Sequence, residues 1–196
     1  MNTHKLIGLV PQEMFREIFE DSPRQIRQAV IGVTGTKKKK KRRSLKSQLA
    51  AKQAEQERAF QAAQTRLSEE DMDQFAEEVI RNYLGKTPEM LAAFLDDMGV
   101  EHEQGYTKDL DFVEKMTPEE TAEAAEHLLK SFPIERVTLY LCYIEANGIT
   151  DVPAIRETLL AWGWDPESEQ DEDEEEDEGK DDEDDAHEDD AKTGDA

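Results

Sequence analysis

Hydrophobic residues between positions 68 and 164 recur every three or four positions, which is the spacing of amphipathic helices. Ser68 is predicted to cap the first helix with its hydroxyl, and Gly85 to end it. Thr87-Pro88 and Thr117-Pro118 are typical starts of further helices, because proline fits the first helical turn. The apolar face of the first helix consists of Met72, Phe75, Ala76, Val79, Ile80 and Tyr83. The pattern predicts an all-α region of about six helices.

The same pattern returns 49 residues later in the chain. Residues 68–100 align without a gap with residues 117–149 in helix caps, apolar positions and the closing glycines Gly99 and Gly148. Only four aligned positions are identical, so the match depends on the pattern and not on the residues. Two interpretations stay open: an internal duplication that gives two three-helix units, or the features that any two helical hairpins share.

One segment of this region fits two kinds of secondary structure. Val137–Ile144 is a continuous apolar run that is rich in strand-forming residues. The proline start at Pro133 and the glycine stop at Gly148 favour a buried helix over a buried strand.

The N-terminal residues 11–31 predict two short amphipathic helices, the second of which is capped by Ser22-Pro23. A two-helix hairpin of this size cannot hide its apolar faces unaided. It must therefore dock on residues 68–164, on a second copy, or on a partner. We predict that the partner-binding residues are Met14, Phe15, Ile18 and Phe19.

Residues 44–67 are rich in Ala, Gln, Lys and Glu, which predicts one long helix. At about 1.5 Å per residue, a continuous helix would span about 36 Å. Its apolar seam is thin, because Gln53 and Gln56 stand where a coiled coil requires apolar residues. We interpret this helix as an arm that holds the residues before it away from the body of the protein.

Charge is sorted along the chain in three blocks, and the formal net charge is −24. Residues 1–67 contain 15 Lys and Arg against 6 Asp and Glu, whereas residues 68–164 contain 7 against 22. Residues 165–196 contain 2 against 20 and no apolar side chain larger than alanine after Pro166, which predicts a disordered acidic tail. One end of the chain therefore attracts anions and the other repels them.

The seven consecutive cations from position 37 to 43 fit a nucleic-acid backbone by charge and counterion release. No aromatic residues are interleaved with them, so binding would be independent of base sequence. A nuclear localisation signal, a membrane-surface patch and a solvated run are the competing interpretations. The predicted nucleic-acid-binding residues are Lys37, Lys38, Lys39, Lys40, Lys41, Arg42, Arg43 and Lys46.

The sequence offers no catalytic motif. Gly32 and Gly35 precede a lysine, but their spacing is too short for a phosphate-binding loop, so we interpret this segment as a hinge. The four histidines lie far apart and Cys142 has no companion thiol, so we predict no metal site, no cofactor and no disulfide. An enzyme would require a cleft with perturbed titrating groups around His102 or Tyr106.

The sequence thus predicts an N-terminal helical hairpin (1–35), a basic cluster with a helical arm (36–67), an acidic all-α domain (68–164) and the acidic tail (165–196). The expected function is non-enzymatic binding to nucleic acid or a ribonucleoprotein, with a further protein partner and with the tail tuning non-specific binding. The alternative is an acidic chaperone or adaptor for basic proteins. We expect no membrane span and a cytoplasmic location, or a nuclear one in a eukaryote.

Overall fold

The computed structural model describes residues 2–32, 45–108 and 111–166, without the side chains of residues 45–50. Within these ranges the chain forms ten α-helices and no β-strand, which confirms the all-α prediction. Short 3-10 turns at Glu70–Met72 and Ile149–Asp151 lead into two of the helices. The helices are α1 (Thr3–Leu9), α2 (Gln12–Asp21), α3 (Arg24–Gly32), α4 (Leu45–Leu67), α5 (Asp73–Leu84), α6 (Pro88–Asp97), α7 (Phe112–Lys115), α8 (Pro118–Leu129), α9 (Ile134–Tyr143) and α10 (Pro153–Trp162).

The apolar run with two interpretations is helix α9, which begins directly after Pro133. All six side chains from Val137 to Cys142 are buried, so α9 is covered on every face along this stretch. A helix that is apolar on all sides is typical of the centre of a helical domain. Burial on all sides also explains why the run lacks the alternation of polar and apolar residues that marks a surface helix.

Residues Met1–Trp164 form one compact unit, and Asp165–Ala196 form a second unit. The first unit includes the N-terminal helices and α4, which the sequence had placed in separate segments. It also includes α1, a third N-terminal helix beyond the predicted hairpin, in which Leu6 and Ile7 are fully buried. Apart from Asp165 and Pro166, the predicted acidic tail lies outside the described residues.

The N-terminal helices dock on the rest of the same chain, because α1 and α2 both pack against α4 and α5. Phe15 and Ile18 are 0% exposed, Phe19 is 1% exposed and Met14 is 8% exposed. This corrects the prediction that these four side chains meet a separate partner. The hairpin is too small to bury its apolar face alone, and the structure satisfies that requirement within the chain.

Asp73 ties the start of α1 to the start of α5. Its Oδ1 atom accepts hydrogen bonds from the backbone amide of His4 and from the His4 ring Nδ1, each at 2.9 Å. Burial alone would raise the pKa of Asp73, but the bonds from His4 outweigh it and hold that pKa below its usual value. The ionised carboxylate therefore stabilises the docking of α1 on α5.

A second polar cluster joins α5, α6 and α9. The guanidinium of Arg136 donates to the Tyr83 hydroxyl at 2.8 Å and to the Thr87 hydroxyl, at the start of α6, also at 2.8 Å. The Arg136 Cζ atom also lies 4.7 Å from the centre of the Tyr83 ring, within the range of a cation–π contact. One arginine thus links three helices that are distant along the chain.

One of the helix caps predicted from the sequence is confirmed, and another is wrong. Thr117 forms the predicted cap of α8 as a reciprocal capping box with Glu120. Ser68 does not cap α5, because its hydroxyl donates to the carbonyl of Thr65 and the helix begins only at Asp73. Phe75, predicted on the buried face of α5, is 38% exposed.

The two predicted three-helix units correspond to α5–α7 and α8–α10. The glycines that close their first hairpins, Gly99 and Gly148, both adopt left-handed backbone conformations, with φ of 65° and 70°. At Gly148 an added Cβ atom would lie 2.4 Å from the Cβ of Pro118, so the close approach to α8 also requires glycine. A common origin of the two units stays a prediction.

Candidate functional site

The predicted nucleic-acid site begins just before α4. Lys37–Arg43 lies outside the described residues, and Lys46 lies in the first turn of α4, where the backbone alone is described. Helix α4 comes directly after the basic cluster in the chain, and we expect it to carry the cluster.

The C-terminal half of α4 is anchored in the body of the protein. Phe60 is 7% exposed, and its ring meets that of Phe19 edge to face with ring centres 6.2 Å apart. The guanidinium carbon of Arg16 lies 5.2 Å from the centre of the same ring, so Phe60 sits between two residues of α2. One and two turns further along, Ala63 and Leu67 are fully covered.

Gln64 adds a polar contact to this anchor. Its side-chain amide donates to the carbonyls of Ile7 at 3.0 Å and Val10 at 2.6 Å. The last carbonyls of an α-helix have no partner within the helix, so Gln64 satisfies two acceptors at the end of α1. The apolar and polar contacts together fix the C-terminal half of α4 on α1 and α2.

The section of α4 that precedes the anchor is open to solvent. Every residue from 52 to 58 is exposed, which amounts to two helical turns, or about 10 Å, without a covering element. These seven residues therefore contribute no buried side chain to the core. This section contains Lys52 and Arg58 together with Glu55 and Glu57.

The exposed side of α3, which packs against α4, carries one arginine and two glutamines and was not predicted from the sequence as a binding surface. Helix α3 packs against α4 and buries Ile26 and Val30, while Arg24, Gln25 and Gln28 are exposed. Arg24–Gly32 contains no acidic residue. The sequence contains no Asp or Glu between Asp21 and Glu55. The net charge of residues 1–67 as a whole does not reveal this stretch.

An acidic depression of about 300 Å³ lies between the end of α6 and the outer face of α8. It is lined by Asp97, Glu120, Glu123 and His127, with Met98 and Ala124 at its base. The Nδ1 atom of His127 lies 2.6 Å from Oδ2 of Asp97, and the bonds from Thr117 hold the pKa of Glu120 below its usual value. This surface carries three carboxylates, and His127 lies beside one of them.

The ring of His102, in the loop considered as a catalytic candidate, contacts Gly105 and Asp96. Its Nδ1 accepts the backbone N–H of Gly105 at 3.2 Å, and its Nε2 lies 3.1 Å from Oδ1 of Asp96. Neither of the neighbouring glutamates is its partner. These contacts hold a tight turn with positive φ at Gln104 and Gly105, so the ring shapes the loop. Tyr106, which closes that turn, is 58% exposed.

None of the described side chains form a group of three His, Cys, Asp or Glu residues that could hold a metal ion. None of the described helices combines the length and the apolarity that crossing a bilayer requires. No protein-family model, no curated protein and no solved structure matches this chain at a significant level.

Proposed function

We propose that this chain is a non-enzymatic binding protein that docks on nucleic acid or a ribonucleoprotein through its basic segment. The binding residues are those of the cluster Lys37–Arg43 and Lys46, which contact phosphates without reading base sequence. The acidic tail competes for the same cations and weakens non-specific docking. The protein acts inside the cell, where its single cysteine stays reduced.

The observation that supports this proposal is the exposed section 52–58 of α4, which precedes the anchored C-terminal half of the same helix. Phe60 and Gln64 hold the C-terminal half on the body. The basic cluster immediately precedes this helix in the chain. We expect a cluster that is joined to α4 ahead of this exposed section to reach a large polyanion with less repulsion from the acidic residues 68–164.

Neutralising part of the cluster tests the proposal. A triple variant, Lys39→Gln, Lys40→Gln and Lys41→Gln, should weaken binding of a labelled single-stranded RNA about 100-fold at about 0.1 M salt, measured by fluorescence anisotropy. The magnitude follows from a salt slope of about 0.7 per phosphate contact on a single strand, summed over three contacts.

The matched control removes the same charge from exposed positions elsewhere. Lys108, Lys130 and Arg156 are exposed and belong to the acidic part of the unit. Their replacement by glutamine should leave RNA affinity within about twofold of the parent protein, because these positions lie outside the proposed interface. Equal losses in both triple variants would show that net charge alone governs binding, which contradicts the proposal.

Removing the tail tests its proposed role. A chain that ends at residue 164 should bind unrelated nucleic acids more tightly than the full chain at low salt, because the competing polyanion is gone. The full chain and the truncated chain would then converge as salt is raised. If neither chain binds nucleic acid at low salt, the proposal is wrong.

The acidic depression supports a second candidate function, that of a chaperone or adaptor for basic proteins. Asp97, Glu120 and Glu123 converge there on a surface that suits Lys- or Arg-rich segments. A pull-down with and without nuclease separates the two candidates. Partners that nuclease treatment removes favour the first, whereas basic proteins that survive it and are lost with the tail favour the second.

A further inference from the structure

We infer that the outer face of α3 is part of the nucleic-acid interface, so that the backbone of the bound strand contacts α3 as well as the basic segment before α4. The residues are Arg24, Gln25 and Gln28. The inference rests on the proposed function, because it extends the same interface onto described residues.

The first argument is the distribution of acidic residues. No Asp or Glu occurs from position 22 to position 54, a stretch of 33 residues that contains 11 Lys and Arg. This gap covers the whole of α3 and the first ten residues of α4. Acidic residues are frequent elsewhere, since the chain of 196 residues contains 48 of them. A surface without carboxylates is what a polyphosphate requires, because each carboxylate would repel it.

The second argument is the placement of α3. Its apolar side chains Ile26 and Val30 are buried, and the helix packs against α4. Arg27 donates to the backbone carbonyl of Glu20 at 2.9 Å and so fixes α3 to the end of α2. A helix held in this way presents its opposite face in one orientation, and it packs against α4.

The third argument is the chemistry of the exposed face. Arg24 and Gln28 are four residues apart and Gln25 and Gln28 three apart, so the three side chains project from one side of the helix. A guanidinium forms charge-assisted bonds to phosphate oxygens, and glutamine amides donate to phosphate and sugar oxygens. The face therefore offers donors for a nucleic-acid backbone.

The same face is unsuited to a lipid surface. Binding in the plane of a bilayer requires an apolar face that can enter the lipid boundary. Ile26 and Val30 of α3 are buried, and Ile31, at 37% exposed, is the one large apolar side chain of α3 that reaches solvent. A single isoleucine does not form an apolar face, and residues 52–58 of α4 contain no apolar side chain larger than alanine. Phosphate groups of nucleic acid are thus favoured over lipid headgroups.

The experiment introduces single changes on the outer face of α3 in the full chain. Gln28→Glu places a carboxylate in the acid-free stretch, and Arg24→Gln removes a cation, while both keep good helix formers. Each should weaken binding of the labelled single-stranded RNA about three- to tenfold at about 0.1 M salt, and Arg24→Gln should reduce the salt slope by about 0.7. Far-ultraviolet circular dichroism checks that the helix content is unchanged.

Two variants with the same chemical change serve as controls. Gln74→Glu on α5 and Arg156→Gln on α10 alter exposed residues outside the acid-free stretch. They should change affinity less than twofold. If the α3 variants behave like these controls, the inference is overturned.

The triple variant of Lys39, Lys40 and Lys41 distinguishes failure of this inference from failure of the proposed function. If the parent binds RNA and the cluster variant does not, while the α3 variants match their controls, the basic cluster binds alone and only this inference fails. If the parent does not bind RNA, the proposed function fails as well. Binding to vesicles of phosphatidylserine and phosphatidylcholine is measured as well. If Gln28→Glu weakens vesicle binding as much as it weakens RNA binding, the assignment to nucleic acid is overturned.

Discussion

Truncating Phe60 to alanine should detach α4 from the body of the protein. The Phe60 side chain is almost completely buried against α2, between Phe19 and Arg16. Replacement by alanine removes about 150 Å² of buried apolar surface, which at about 25 cal/mol/Å² corresponds to about 4 kcal/mol. Core Phe→Ala substitutions commonly cost about 3–5 kcal/mol. We therefore expect the free energy of unfolding to fall by about 3–4 kcal/mol.

Urea denaturation followed by circular dichroism measures this loss. Phe60→Leu keeps an apolar side chain and should cost about 1.5 kcal/mol or less, because only the ring contacts are lost. Gln56→Ala, one turn earlier on the exposed section, should change stability by less than about 0.5 kcal/mol. A loss of less than about 1 kcal/mol for Phe60→Ala would refute the anchoring of α4, since an unanchored helix would expose Phe60 already.

Three further changes probe the docking of α1 and the caps and turns that shape the domain. Gly148→Ala should cost more than about 2 kcal/mol in urea denaturation, since its left-handed backbone and its contact with Pro118 both oppose a Cβ atom; Gly163→Ala, which is left-handed but unobstructed, should cost only about 1 kcal/mol. Thr117→Ala should lower the free energy of unfolding by about 1 kcal/mol through loss of the capping box, with a matching fall in Tm. Asp73→Asn should destabilise the protein at pH 7, and the difference from the parent should shrink as the pH falls below the ordinary aspartate pKa of about 4. The lowered pKa of Asp73 means that its contribution is present above the ordinary aspartate pKa and is lost as the parent protonates.

Helix periodicity and proline starts predict most of the fold because they are local signals. The capping box at Thr117 and the start of α9 after Pro133 depend on residues within four positions of each other. The burial of Met14 and Phe15 could be predicted as a requirement, since a small hairpin cannot hide an apolar face. Which of the three candidate surfaces covers them could not be predicted, because α4 and α5 are distant from α2 in the chain and their contact with it is tertiary.

The departures from prediction also have tertiary causes. Ser68 has the sequence of a cap, but its hydroxyl bonds back to Thr65 while the chain turns from α4 into α5. Phe75 follows the helical spacing, yet it is 38% exposed, because burial depends on the tertiary packing around α5 and not on spacing alone. The net charge of residues 1–67 does not reveal the outer face of α3, because it sums the acid-free stretch 22–54 with the six acidic residues on either side of it.

The salt dependence of RNA binding tests the central claim most directly. The affinity of the full chain for a single-stranded RNA should fall with salt along a log–log slope of about −6, because Lys37–Arg43, Lys46 and Arg24 each neutralise about one phosphate. A variant with glutamine at all seven positions from 37 to 43 should retain a slope of about −1.4, from Lys46 and Arg24, and lose most of its affinity at low salt. Equal slopes for the two proteins, or no binding by the full chain at about 50 mM salt, would contradict the account.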